Sequence, residues 1–135
     1  LVKITAGFMD PSYTFFGGVH TGVDFVPNDT YFQSNNNYKD TGDVVAYATM
    51  NGKVNYFVDQ YGSHTVEVVN SENTIKTIFM HLNKIAVSTG ETITAGTPIG
   101  TMGDTGFSTG EHLHYEIRLN NSGTWTPVNP LAYIH

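Results

Sequence analysis

The stretch from Ser108 to Arg118 ends in an alternation of polar and apolar residues. His112, His114, Glu116 and Arg118 fall on one side of a period-two ribbon, and Leu113, Tyr115, Ile117 and Leu119 on the other. That is the pattern of a strand with an apolar face on a core and a polar face turned toward something else. Two imidazoles two residues apart on the polar face stand side by side, near enough to serve one site. The plainer reading is a solvated strand face that happens to carry two histidines.

Comparable alternation predicts strands at Leu1 to Thr5, Val44 to Ala48, Gly52 to Val58, His64 to Val69 and Thr74 to Leu82. The Met50-Asn51-Gly52 corner reads as a hairpin turn, and Ser71 to Asn73 as another turn. Val87 to Thr101, broken by Gly90, Gly96-Thr97-Pro98 and Gly100, reads as two very short strands between turns. Asn120 to Thr126 is expected to make a terminal hairpin, and Pro127 to His135 a packed tail. His20 and Asp24 are four residues apart, a spacing that fits one helix face or one strand face. The intervening Gly22 and the β-branched flanks favour the extended form. A long Asn-rich loop is expected between Pro27 and Gly42, and loops of that length in compact domains tend to be functional.

Composition agrees with strands and tight turns: eight Tyr, eight Phe and fourteen Gly, with many Thr, Val and Ile. The expected class is all-β, in one domain spanning residues 1–135. The first residue is Leu1, which suggests a catalytic piece of a longer modular protein. Six Lys and Arg against twelve Asp and Glu give a net charge of −6. With no basic stripe, nucleic acid is excluded as the main partner, as is electrostatic capture by an anionic membrane or wall. No apolar run approaches the length of a transmembrane helix. There is no cysteine, so any metal must be held by His, Asp or Glu.

Strand alternation turns His20, Asp24, His81, His112 and His114 toward candidate chemistry. A hydrolytic zinc site commonly uses three His, Asp or Glu ligands and keeps one position open. Two histidines and a carboxylate can fill that role and leave two histidines over. The surplus has a use, because peptide hydrolysis needs a general base and a donor for the developing oxyanion.

Three motifs in order make the chain resemble the lysostaphin-type, or LytM-type, zinc endopeptidases that cleave peptide cross-links of bacterial cell walls. They are His20-Thr21-Gly22-Val23-Asp24-Phe25 after a Gly-rich lead, Phe79-Met80-His81-Leu82, and Ser108 to Glu116. A Gly-rich passage from Gly90 to Gly106 separates the last two, and the likeness runs from about Gly17 to Leu131. The resemblance implies that His20, Asp24 and His114 bind one Zn2+ and that His81 and His112 are the catalytic pair. It leaves open which of the two acts as base. It further implies antiparallel sheets facing each other, with the metal on the floor of a narrow groove. Loops before Val44, around Tyr61 to Ser63 and between Gly103 and Gly110 would wall that groove.

The expected substrate is a peptidoglycan peptide, cut at Gly-Gly or D-Ala-linked bonds by an enzyme that is secreted or phage-delivered to the wall. A monomer is the default. The alternative is a non-catalytic wall-binding or regulatory module on the same fold, against which the intact five-residue set argues. Glu116 is expected either to hydrogen-bond an imidazole of the site or to join a surface ion pair near Arg118. His64 has no place in the site and reads as a surface or loop histidine, and His135 is terminal. Tyr31, Phe32 and Tyr38 read as structural, with a lesser claim to line the groove; Asp10 and Asp104 read as turn residues.

Overall fold

A computed structural model describes residues 2–6, 22–27, 45–103 and 113–130. Among them lie ten strands: β1 (Val2–Ala6), β2 (Val23–Pro27), β3 (Val45–Tyr47), β4 (Gly52–Val58), β5 (His64–Val69), β6 (Ile75–Ile85), β7 (Thr92–Ile93), β8 (Pro98–Met102), β9 (Leu113–Asn121) and β10 (Thr124–Val128). No α-helix occurs among the described residues, and no helix is long and apolar enough to cross a membrane. The expected all-β, antiparallel architecture is the one the chain adopts.

All ten strands join one antiparallel sheet whose main path runs β1-β2-β9-β6-β5-β4-β7. Two strands divide an edge between two partners. β9 pairs β2 through residues 113–115 and β10 through residues 117–121. β6 pairs β9 from Ile75 to Met80, then passes to β8 from Leu82 onward. The sheet therefore curls where β6 exchanges partners, and β8 carries β3 away from the main path.

The bounds of β4 and β5 are those the alternation predicts, because both strands put one apolar face on the core. Val54, Val66 and Val68 are buried there with Phe79, Leu82, Ile93, Ile99, Tyr115 and Ile117. The Phe79 and Tyr115 rings pack tilted, centroids 5.1 Å apart, which locks β6 to β9 from the apolar side. The Tyr115 hydroxyl reaches Thr49 Oγ1 at 2.6 Å, so the polar tip of this core aromatic is satisfied. Burial pushes its phenol above the ordinary value, and the Thr49 hydrogen bond offsets part of that.

One pairing departs from expectation. Met50-Asn51-Gly52 does not close a hairpin, since β3 pairs β8 while β4 pairs β5 and β7. Asn51 instead accepts the Ala95 N–H at 2.9 Å, and Gly52 sits where any Cβ would meet the Val69 carbonyl oxygen at 2.5 Å. The glycine there serves close strand packing rather than a turn. At the other end, the terminal hairpin extends to Val128, so Pro127 belongs to β10 and not to a tail.

Thr77 is a polar residue on an apolar position. It is 2% exposed and faces Val68 and Ile117 across the two ladders, and its hydroxyl has no hydrogen-bond partner among the described residues. A buried, unsatisfied hydroxyl costs stability that an isosteric methyl does not. Thr77→Val is expected to raise stability by about 1 kcal/mol, or roughly 4 °C in Tm, read from urea and thermal unfolding.

Candidate active site

Three neighbouring strands, β2, β9 and β6, carry the described candidate residues, with β9 in the middle. Asp24 pairs directly opposite His114, and Met80 pairs opposite His114 on the other side. Directly opposed residues of an antiparallel ladder share a face, with Cβ atoms about 5 Å apart. The register thus puts the Asp24 and His114 positions together. His81 follows Met80, and its ring stands edge-on to the His114 ring with centroids 6.4 Å apart. His20 and His112 lie outside the described residues, as do Asp10, Tyr31, Phe32, Tyr38, Asp104, Glu111, His135 and the loop before Val44. Among the described residues, no group of three His, Asp or Glu side chains is placed to hold a metal ion.

The polar face of β9 is not solvated. His114 is 6% exposed and Glu116 2%. Glu116 makes the expected imidazole hydrogen bond, and its ion pair with Arg118 is formed by a buried carboxylate rather than at the surface. Its Oε2 lies 2.8 Å from His114 Nε2, and its Oε1 accepts from Arg118 at 2.7 Å. Burial alone would push this carboxyl up. The hydrogen bonds and charges of His114 and Arg118 outweigh burial and bring it down to about 2. A carboxylate held ionised can only accept, so the His114 proton sits on Nε2. In the neutral ring the lone pair is then on Nδ1, the nitrogen that a metal would take.

Gly22, inside the His20-to-Asp24 motif, lies over this pair. A Cβ there would collide with the Tyr115 carbonyl oxygen and come within 2.9 Å of Glu116 Cγ and 3.0 Å of His114 Nε2. The glycine permits the chain entering β2 to lie against the His114–Glu116 pair. Its place in the motif is the signal that could have marked it.

His81 departs from the regular strand. It has φ +65, whereas the other described non-glycine residues with positive φ, Asn73 and Ser122, lie outside any strand. Histidine enters this region more readily than most residues, yet such strain costs about 1–3 kcal/mol. The β5–β6 register shows why it arises: Val66 pairs Phe79 and His64 pairs Leu82, so two steps on β5 oppose three on β6. The extra residue makes a bulge at Met80–His81, a device that re-aims a side chain next to functional sites. The His81 N–H, released from the ladder, donates to Ser63 Oγ at 2.8 Å. In the Tyr61-to-Ser63 segment expected to wall a groove, Ser63 is wholly buried and Tyr61 is exposed. His64 begins β5, half-buried, with its ring edge-on to Tyr56, and is not on a loop.

Residues 18–130 match the profile of peptidase family M23. The peptidoglycan DD-endopeptidase ShyA of Vibrio cholerae is 38% identical over 115 residues, 83% of this chain and 22% of that protein. The glycyl-glycine endopeptidase ALE-1 of Staphylococcus capitis is 30% identical over 120 residues, 87% of this chain and 30% of that protein. The chain therefore spans less than a third of the length of these curated relatives. Among solved structures, the catalytic domain of lysostaphin from Staphylococcus simulans superposes with a TM-score of 0.77 at 26% identity, covering 97% of this chain and 90% of that one.

The close approach at Gly22 is directly testable. Gly22→Ala is expected to destabilise the protein by about 2 kcal/mol or more, because the carbonyl it meets is backbone and cannot move aside cheaply. The shift in urea midpoint measures this, and a variant as stable as the parent would show that β2 does not pack here as described.

Proposed function

The chain belongs to peptidase family M23, and we propose that it is a zinc-dependent endopeptidase acting outside the cytoplasm on the peptide cross-links of peptidoglycan. The observation that carries this reading is the register that sets Asp24 opposite His114, with the His81 ring alongside. The peptidoglycan endopeptidases to which it is similar support the substrate class. The bond cut is of the Gly-Gly or D-Ala-linked kind.

His20, Asp24 and His114 would hold the metal. Two imidazoles and a carboxylate are the donor set of hydrolytic zinc sites. The His114–Glu116 hydrogen bond fits that use, since a metal-binding imidazole commonly gives its other N–H to a carboxylate, which fixes tautomer and ring orientation. Bound zinc supplies a Lewis-acid charge that polarises a carbonyl and lowers the pKa of a water toward ~7.

The remaining work falls to the chain itself. His112 and His81 share the proton traffic: one accepts the proton of the attacking water, and the other donates to the oxyanion or the departing amine. His114 and Asp24 keep their places through the β2–β9 ladder, and Arg118 holds Glu116 against His114.

Digestion of purified walls of differing cross-bridge chemistry, with zinc-loaded and chelated protein, tests the assignment by mass spectrometry of the fragments. New amino termini within or beside the bridge are expected only with zinc. His114→Ala and Asp24→Ala are expected to lose both zinc and cleavage, whereas His112→Ala keeps zinc and loses turnover. Retained cleavage by His114→Ala would sink the site; no new termini from zinc-containing protein would favour a binding or regulatory module. Glu116→Ala is expected to weaken zinc affinity roughly 10- to 100-fold, read by competition with a chelating dye.

A further inference from the structure

The bulge at Met80–His81 needs a support that the β-ladder does not provide. His81 stands between the last β6–β9 pair, Met80 with His114, and the first β6–β8 pair, Leu82 with Met102. Its N–H is turned to Ser63 Oγ, 2.8 Å away and wholly buried.

Ser63 is itself fixed from several directions. Its N–H donates to Asp59 Oδ1 at 3.0 Å, and its carbonyl accepts from the Asp59 N–H at 3.0 Å and from Thr65 Oγ1 at 3.2 Å. Asp59 Oδ1 also accepts from the Tyr61 N–H at 2.8 Å, and Gly62, at φ +84, donates to the Asp59 carbonyl at 3.0 Å. The 59–63 turn is thus an ordered bracket whose inner end is a hydroxyl that accepts from the His81 N–H at 2.8 Å and, more weakly, from Thr65 Oγ1 at 3.4 Å.

We propose that Ser63 is a positioning residue for His81: by accepting the His81 N–H, it holds the bulged, left-handed backbone that sets the His81 ring beside His114. Asp59 acts one step further back by holding Ser63. The inference deepens the proposed function and rests on it only for the catalytic meaning of His81; the placement of the ring is testable by itself. The chemistry is that of orientation. Displacing a reacting group by about 1 Å can cost roughly 10²-fold in rate, and an alanine at Ser63 removes the acceptor without touching either imidazole.

The test compares Ser63→Ala and Ser63→Thr with the parent protein, first by NMR. Ser63→Ala is expected to abolish the ring-to-ring nuclear Overhauser contact between His81 and His114 and to accelerate exchange of the His81 amide. The cross-strand contacts between β9 and β2 should persist. Ser63→Thr, which keeps the hydroxyl, is expected to restore both signals. Persistence of the ring contact and of amide protection in Ser63→Ala overturns the proposal. On cross-linked walls, Ser63→Ala is expected to keep full zinc content and a near-parental KM while kcat falls by roughly 10²-fold. An unchanged kcat in a folded, zinc-loaded Ser63→Ala likewise overturns it. A parent protein that cleaves no wall removes the endopeptidase reading, and the NMR comparison then decides the placement of His81 alone.

Discussion

A carboxylate buried to 2% exposure is costly to keep ionised, and the centre of this sheet is built around keeping Glu116 so. Each of its oxygens has a cationic or N–H partner from its own strand: Arg118 on Oε1 and His114 on Oε2. Both partners are two residues away, so a regular β9 brings them to the same face without distortion. Burial opposes ionisation, the two partners favour it, and the partners prevail, which leaves the carboxyl at about 2. Removing either partner would leave the buried charge with one partner in place of two, at a cost in stability. The constraint spreads outward. His114 Nε2 is committed to Glu116, Gly22 must be small, and the Asp24 position falls opposite His114 because β2 can lie that close.

His81 follows the opposite rule. Where β9 obtains its geometry from perfect alternation, β6 obtains it by breaking alternation for one residue. A regular β6 would continue the pairing of Met80 with His114 and set the next side chain on the reverse face. The bulge inserts a residue, the strand changes partner from β9 to β8, and the His81 ring comes to 6.4 Å from that of His114. Strain of this kind persists only when the surroundings over-determine it. Here they do: β5 on one edge, β8 beyond, and the Ser63 hydroxyl beneath the released N–H.

The strands were legible where one face is apolar and the other is not. Gly52–Val58 and His64–Val69 appear at the expected bounds because apolar positions two residues apart are turned to the core, Gly52 and Val54 on one strand and Val66 and Val68 on the other. The β3 and β4 pairing was not legible, because Met50-Asn51-Gly52 has turn chemistry while the partners of β3 come from some fifty residues away. The polar face of β9 carried the pattern of a site but not its burial, since a buried Glu and a solvated Glu are spelled alike. The left-handed φ of His81 leaves no mark in composition: no glycine or asparagine stands there to announce it. Ser63 was for the same reason indistinguishable from any serine of a loop. His20 and His112 stand on motif alone, since the described residues do not include them.

The strand-borne arrangement also bears on how family members come to differ in the bond they cut. A glycyl-glycine endopeptidase and a DD-endopeptidase match this chain at 30% and 38% identity, over largely the same span. Under the proposed function, ladder register, the His114–Glu116–Arg118 trio and the His81 bulge would serve any peptide carbonyl, because they would orient proton donors and acceptors rather than read a side chain. Discrimination between a glycine bridge and a D-alanine junction needs contacts several residues from the scissile bond. Those positions fall to connecting segments, where length and composition change without disturbing a ladder. Tyr61, exposed on the turn whose inner end holds His81, occupies such a place, two residues before the buried Ser63 that accepts the His81 N–H. One turn therefore joins a buried inner residue that touches β6 to an exposed outer one, so a change at Tyr61 would leave the Ser63 hydrogen bond in place.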